Sequence, residues 1–203
     1  VLDANSEGER KQQLINFFDE NTLLGNQMGY INQLKKLQQE DGSFAWFPGM
    51  EGSLYMTVYI AKTLVRLQTL LGQGAFDNDQ TSQLLKHAFT FLDTRIAREV
   101  IEMKKYEKKN KTTLFPSDDL CDYLYTNALA KRPTTADITY LIDRLAKKPT
   151  DLTIYGKANT AVILAQYGKT DLAKEYLKSL KEYTVATKEM GRYFDSRNAY
   201  YSW

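Results

Sequence analysis

The sequence predicts an all-α protein, and three observations carry that prediction. Apolar residues recur at spacings of three and four along most of the chain. Ser, Thr or Asp stands where such runs begin, and no stretch shows a convincing strand alternation. The 203 residues suffice for one domain with a real core, and an apolar content of 43% is that of a globular chain. With 27 Lys and Arg against 25 Asp and Glu the net charge is +2, which gives no nucleic-acid or anionic-membrane surface, since both need concentrated basic charge. No run of about 18 apolar residues exists, so no membrane contact is expected of this chain.

The elements follow in order. Ser6 and Glu9 form a capping box that opens a helix with Leu14, Ile15, Phe17 and Phe18 on its apolar stripe. A second helix runs from about Asn26 to Gln39, with Tyr30, Leu34 and Leu37 at helical spacing. The stretch LQQEDGSFAWFPGMEGSLYMT, Leu37 to Thr57, then breaks the helical pattern with glycines, a proline and aromatic residues. Ser53 caps a third helix whose broad face holds Tyr55, Met56, Tyr59, Ile60, Thr63, Leu64, Leu67 and Leu71, ended by Gly72 and Gly74.

A long helix from about Asn78 to Lys109 carries Leu84, Leu85, Ala88, Phe91, Leu92, Ile96 and Val100 inward. Its basic run, Lys104 to Lys111, reads as a solvated end whose cations suit the helix C-terminus. Pro116-Ser117-Asp118-Asp119 starts the next helix, with Leu120, Leu124, Tyr125 and Leu129. Pro133 and Thr135 lead into ADITYLIDRLA. Asp151 opens TIYGKANTAVILAQY, Gly168 closes that helix, and Thr170 opens DLAKEYLKSLKEY. The expectation is seven or eight antiparallel helices with short connections.

Two distant parts of the chain read alike. Residues 34 to 47, LKKLQQEDGSFAWF, and residues 177 to 203, LKSLKEYTVATKEMGRYFDSRNAYYSW, both pass from an L-K-x-L helix end to Gly-x-aromatic and on to Trp. Such self-similarity marks an array of helix pairs whose units bury their faces against neighbours. The second copy stops at Trp203, and Val1 is not an initiator methionine. The 203 residues are therefore expected to be one domain-sized fragment, cut at the C-terminal end and at the N-terminal end too.

The pattern helix–LxxLQxxDGSFxWxPG–S–helix is shared by α/α toroids, rings of helical hairpins with such loops at one rim. Within that group, LKKLQQEDGSFAWFPGMEGSLYMTVYIAKTLVRL and the later IYGKANTAVILAQYGKTDLAKEYLKSLKEYTVATKEMGRYF resemble the thioester domain of bacterial alpha-2-macroglobulins. The resemblance implies a partial α/α toroid within a large, exported, many-domained endopeptidase inhibitor, periplasmic or at the cell surface. Its partners would be other domains of the same chain and, through the parent, target proteases. Asp41, Gly42, Phe44, Trp46, Pro48 and Gly49 form the rim loop, read as a structural plug in which Phe44 and Trp46 drop between hairpins and Trp46 is at least half buried. The family's C-x-E-Q thioester motif has no counterpart: Cys121 precedes Asp122-Tyr123, and no Glu-Gln dipeptide occurs in the sequence.

Catalytic signals are few. Asp118, Asp119 and Asp122 match the DDxxD spacing of magnesium-diphosphate sites, because carboxylates four apart share a helix face. The companion motif from Asn78-Asp79 ends in Lys86 where a Glu ligand belongs, so a capped helix start is the plainer reading. His87 is the only histidine, and one cysteine allows no internal disulfide. Gly168-Lys169-Thr170 lacks the glycine and the strand that a phosphate loop needs. Asp41 and Glu51 bracketing Trp46, with Glu40 adjacent, leave a carbohydrate-active toroid enzyme as the alternative, and a plain helical interaction module as a third. No catalytic, metal or cofactor-binding residue is expected, and no cofactor.

Overall fold

The computed structural model describes residues 6–17, 20–71, 79–147 and 152–194. Among them are eight helices: α1 (Glu7–Phe17), α2 (Glu20–Leu37), α3 (Leu54–Leu71), α4 (Asp79–Asn110), α5 (Asp118–Leu129), α6 (Ala136–Leu145), α7 (Ile154–Gln166) and α8 (Thr170–Lys181). The described residues are thus all-α apart from one small antiparallel hairpin, β1 (Thr184–Thr187) with β2 (Gly191–Phe194), in which Thr184 faces Phe194 and Thr187 faces Gly191.

The predicted caps hold where local chemistry dictates them. The Ser6 hydroxyl accepts from the Glu9 N–H at 3.1 Å and Ser53 from Met56 at 3.3 Å; Thr135, expected only to lead into α6, also caps it by accepting from Ile138 at 3.3 Å. At α7 the cap is Thr153, which accepts from the Gly156 N–H at 2.9 Å; Asp151 lies outside the described residues. The end of α7 is a Schellman motif: Lys169 N–H reaches Leu164 O at 2.8 Å and Gly168 N–H reaches Ala165 O at 3.1 Å. That turn uses up Gly168-Lys169-Thr170 as a helix-to-helix connection.

Helices α3, α5 and α7 pack side by side, with α4 against α3, α6 against α4 and α7, and α8 along α7. One apolar core runs through them, built on Phe44, Val58, Leu92, Ile96, Leu124, Ile138, Leu141, Leu145, Ile163 and Leu164. Ion pairs tie its edges. Arg144 of α6 grips Glu107 of α4 with two nitrogens, at 3.0 and 2.6 Å, and Arg132 grips Asp93 at 3.0 and 2.6 Å while its guanidinium lies over the Phe89 ring.

Several inward assignments are displaced along their helices. In α2 Ile31 is buried and Tyr30 is exposed; in α4 Phe89 is buried, with Phe91 only partly covered. Leu14 and Ile15 of α1 are exposed, and the element α1 packs on is α2. Phe18, Gly72, Gly74 and Asn78 lie outside the described residues, as do positions 195–203 with Trp203.

The hairpin corrects the strandless expectation. Thr184-Val185-Ala186-Thr187 leaves α8 as strand, and Gly191, with φ +71°, begins the return. The stretch at positions 34–47, which reads like this one, reverses in a similar way. After α2 the chain reverses through Gly42, with φ +89°, and Phe44 forms an antiparallel bridge back to Gln38.

Candidate functional site

The loop between α2 and α3 is held by bonds that account for its sequence residue by residue. Asp41 Oδ1 accepts from the Ser43 N–H at 2.9 Å and from its hydroxyl at 2.6 Å, an Asx turn. Gly42 sits in the left-handed region against α4, where a Cβ would stand 2.6 Å from the His87 carbonyl carbon. The Gln38 amide donates to Gly42 O at 3.2 Å and Leu84 O at 2.9 Å, which fastens the turn to α4. Met50 N–H closes on Phe47 O at 3.2 Å, with Pro48 and Gly49 (φ +84°) at the centre of a type II-like turn.

Phe44 is the centre of this construction. It is 0% exposed, its N–H donates to Thr57 Oγ1 at 2.8 Å, and its carbonyl accepts from the Ser53 N–H at 2.8 Å. The Thr57 hydroxyl in turn donates to Ser53 O at 2.7 Å, so a buried amide is satisfied by the first turn of the following helix. Sequence reasoning missed Thr57 and Gln38. The available signal was the Ser53–Thr57 spacing of one helical turn.

Trp46 does not follow Phe44 into the core. Its ring stacks on Tyr55, centroids 5.7 Å apart and planes within 9°, and Tyr55 stacks on Tyr59 at 6.2 Å and 14°. The three side chains are 46%, 41% and 49% exposed. Trp46 is therefore a little more than half covered, while Tyr55 and Tyr59 leave the core face assigned to them. That face belongs to Thr57, Val58, Ile60, Ala61, Leu64 and Val65, and Thr63, also assigned to it, is exposed. Phe47 and Met50 are exposed as well.

The ladder leads to the acids of α5. The Lys62 ammonium lies 5.8 Å from the Tyr59 ring centroid and pairs with Asp122. The aromatic ladder and the acids of α5 are thus joined through Lys62 and Asp122, 60 positions apart in sequence. Partial burial and the charges of Asp122, Asp118 and Glu99 push the Asp119 carboxyl above the ordinary range, against the pull of Lys62. Ser117 caps α5 by accepting from the Leu120 N–H at 3.5 Å, and Asp118 and Asp119 occupy its first turn. Lys62 holds the carboxylate that a DDxxD metal would take. Among the described residues no group of three or more His, Cys, Asp and Glu is arranged to hold a metal ion.

The remaining candidates stand apart. Cys121 is buried, and burial first, then Asp118 and Asp122, pushes its thiol up to about 12, so it stays protonated and is no nucleophile at neutral pH. The His87 side chain is exposed on α4, and the His87 backbone lies against Gly42 of the loop. Asp41 is committed to Ser43, and Glu40 and Glu51 are exposed. No protein-family model matches the chain, and no curated protein matches it significantly.

Proposed function

We propose that this chain is a non-catalytic helical part of a large alpha-2-macroglobulin-like endopeptidase inhibitor that traps proteases. What carries the reading is the loop. Its D-G-S-F-x-W-x-P-G-x-x-x-S signature resembles that family's, and the residues of the signature act as a helix-to-helix junction: turn, anchor, second turn and cap. Support also comes from the packing of α3, α5 and α7 as one row with α4 and α6 beside it, as a partial α/α toroid requires. Among the described residues no helix is long and apolar enough to cross a membrane.

In this role the chain contributes shape and stiffness, and covalent capture belongs to it only if a C-x-E-Q motif lies elsewhere in the parent. The parent would be extracytoplasmic, with its other domains and the attacking protease as partners. The test is the complete reading frame followed by protease challenge of the whole protein. A cleaved bait segment, with protease still active on small peptides and barred from large substrates, is the expected outcome. A full-length protein that leaves access to large substrates unchanged overturns the reading.

A further inference from the structure

The ladder of Trp46, Tyr55 and Tyr59 takes no part in the loop's junction role, yet it is continuous and lies open on the outside of α3. It ends in an excess of negative charge. Among the described residues the salt bridge formed by these three acids is that of Asp122 with Lys62, whose charge also reaches Asp119, and Glu99, whose charge reaches Asp119 too, is paired with Arg95. Among the described residues neither Asp118 nor Asp119 forms a salt bridge. Aromatic faces beside uncompensated carboxylates attract guanidinium and ammonium groups, through the ring quadrupole on one side and ion pairing on the other. The chain itself shows the mode: Lys62 lies over Tyr59 and pairs with Asp122.

We propose that the strip from Trp46 through Tyr59 to Asp118 and Asp119 is a docking surface for an arginine-bearing polypeptide segment. A guanidinium stacks on the Trp46 end of the ladder, and a second pairs with the free carboxylates at the start of α5. Arginine suits this surface better than lysine, because its planar fork both stacks on rings and pairs with carboxylates in bidentate fashion. A neutral saccharide fits less well. Tyr55 is engaged by rings on both sides, which leaves no row of open faces for successive sugars.

The test is calorimetric titration of the 203-residue chain with a capped peptide alternating arginine and glycine, and with its glutamate counterpart. Saturable binding of the arginine peptide alone is expected, weakening at least tenfold as salt is raised. Trp46→Ala and the double change Asp118→Asn with Asp119→Asn should each weaken it at least tenfold. Tyr59→Leu, on an exposed helix face, should do the same if the Trp46 variant fails to fold, while Leu70→Ala at the far end of α3 changes nothing. Absence of saturable heat, equal binding by all variants, or binding of cellohexaose in place of the arginine peptide overturns the proposal.

Discussion

Gly42 and Gly49 offer a matched pair for testing whether the rim loop is clamped to α4. Both have left-handed φ, +89° and +84°, so a change to alanine costs each about the same 1–2 kcal/mol in backbone strain. Their surroundings differ. A Cβ on Gly49 meets nothing within 4 Å, whereas one on Gly42 stands 2.6 Å from the His87 carbonyl carbon and 3.3 Å from its Cα. Those are backbone atoms of a long helix, and the Gln38 bond to Leu84 O holds the loop down on it. Relief requires lifting the turn and with it Phe44. Forced overpacking of this kind costs about 1–3 kcal/mol, and that term alone separates the two variants. For a chain of this size it corresponds to about 2–12 °C between their unfolding midpoints. Thermal unfolding of Gly42→Ala and Gly49→Ala, followed by far-ultraviolet circular dichroism, reads the difference directly. Midpoints within a degree of one another, or Gly49→Ala as the less stable, would refute the clamped-loop account.

Three further outcomes are expected. Phe44→Ala should lose about 3–5 kcal/mol in urea unfolding, as buried aromatic truncations do, while Phe47→Ala, exposed beside it, should change stability by less than about 0.5 kcal/mol. Lys131 holds φ +52° at the end of α5, and Lys131→Gly should raise stability by roughly 0.5–1 kcal/mol once glycine's unfolded-state freedom is offset against the relieved strain. The Arg144 guanidinium, against the opposing effect of burial, lowers Glu107 to about 2. Its stabilisation is therefore complete above the unfolded glutamate value of about 4.3 and is lost as pH falls from there towards 2. Stability measured over a pH series should show a shallower acid slope for Glu107→Gln than for the parent chain; an unchanged slope would mean that the ion pair contributes nothing.

Much of the fold was legible because its signals are local. A Ser or Thr three residues before a helical amide, a Pro-Gly turn, and a glycine after the last turn of α7 act between near neighbours, so adjacent letters state them. The loop's turns and its helical flanks were readable on the same ground. What the letters did not settle was the direction each surface faces. Tyr55 and Tyr59 share helical spacing with Ile60 and Leu64, and a tyrosine suits either side of a helix, so the choice fell to the packing of α3 against both α4 and α5.

The same limit hid the meeting of the ladder with the α5 acids. Lys62 and Asp122 are joined by tertiary packing alone, and no local pattern links positions 60 apart. Lys157 is a second instance. It is 6% exposed on α7, with its ammonium bonded to the Ser179 and Tyr183 hydroxyls at 3.0 and 3.1 Å, although apolar periodicity would never place a lysine inward. The sequence by itself determined where helices start, turn and stop, since those energies depend on residues within one helical turn. Tertiary structure decided which faces are covered and which charges meet, since those depend on partners that only the folded chain brings together.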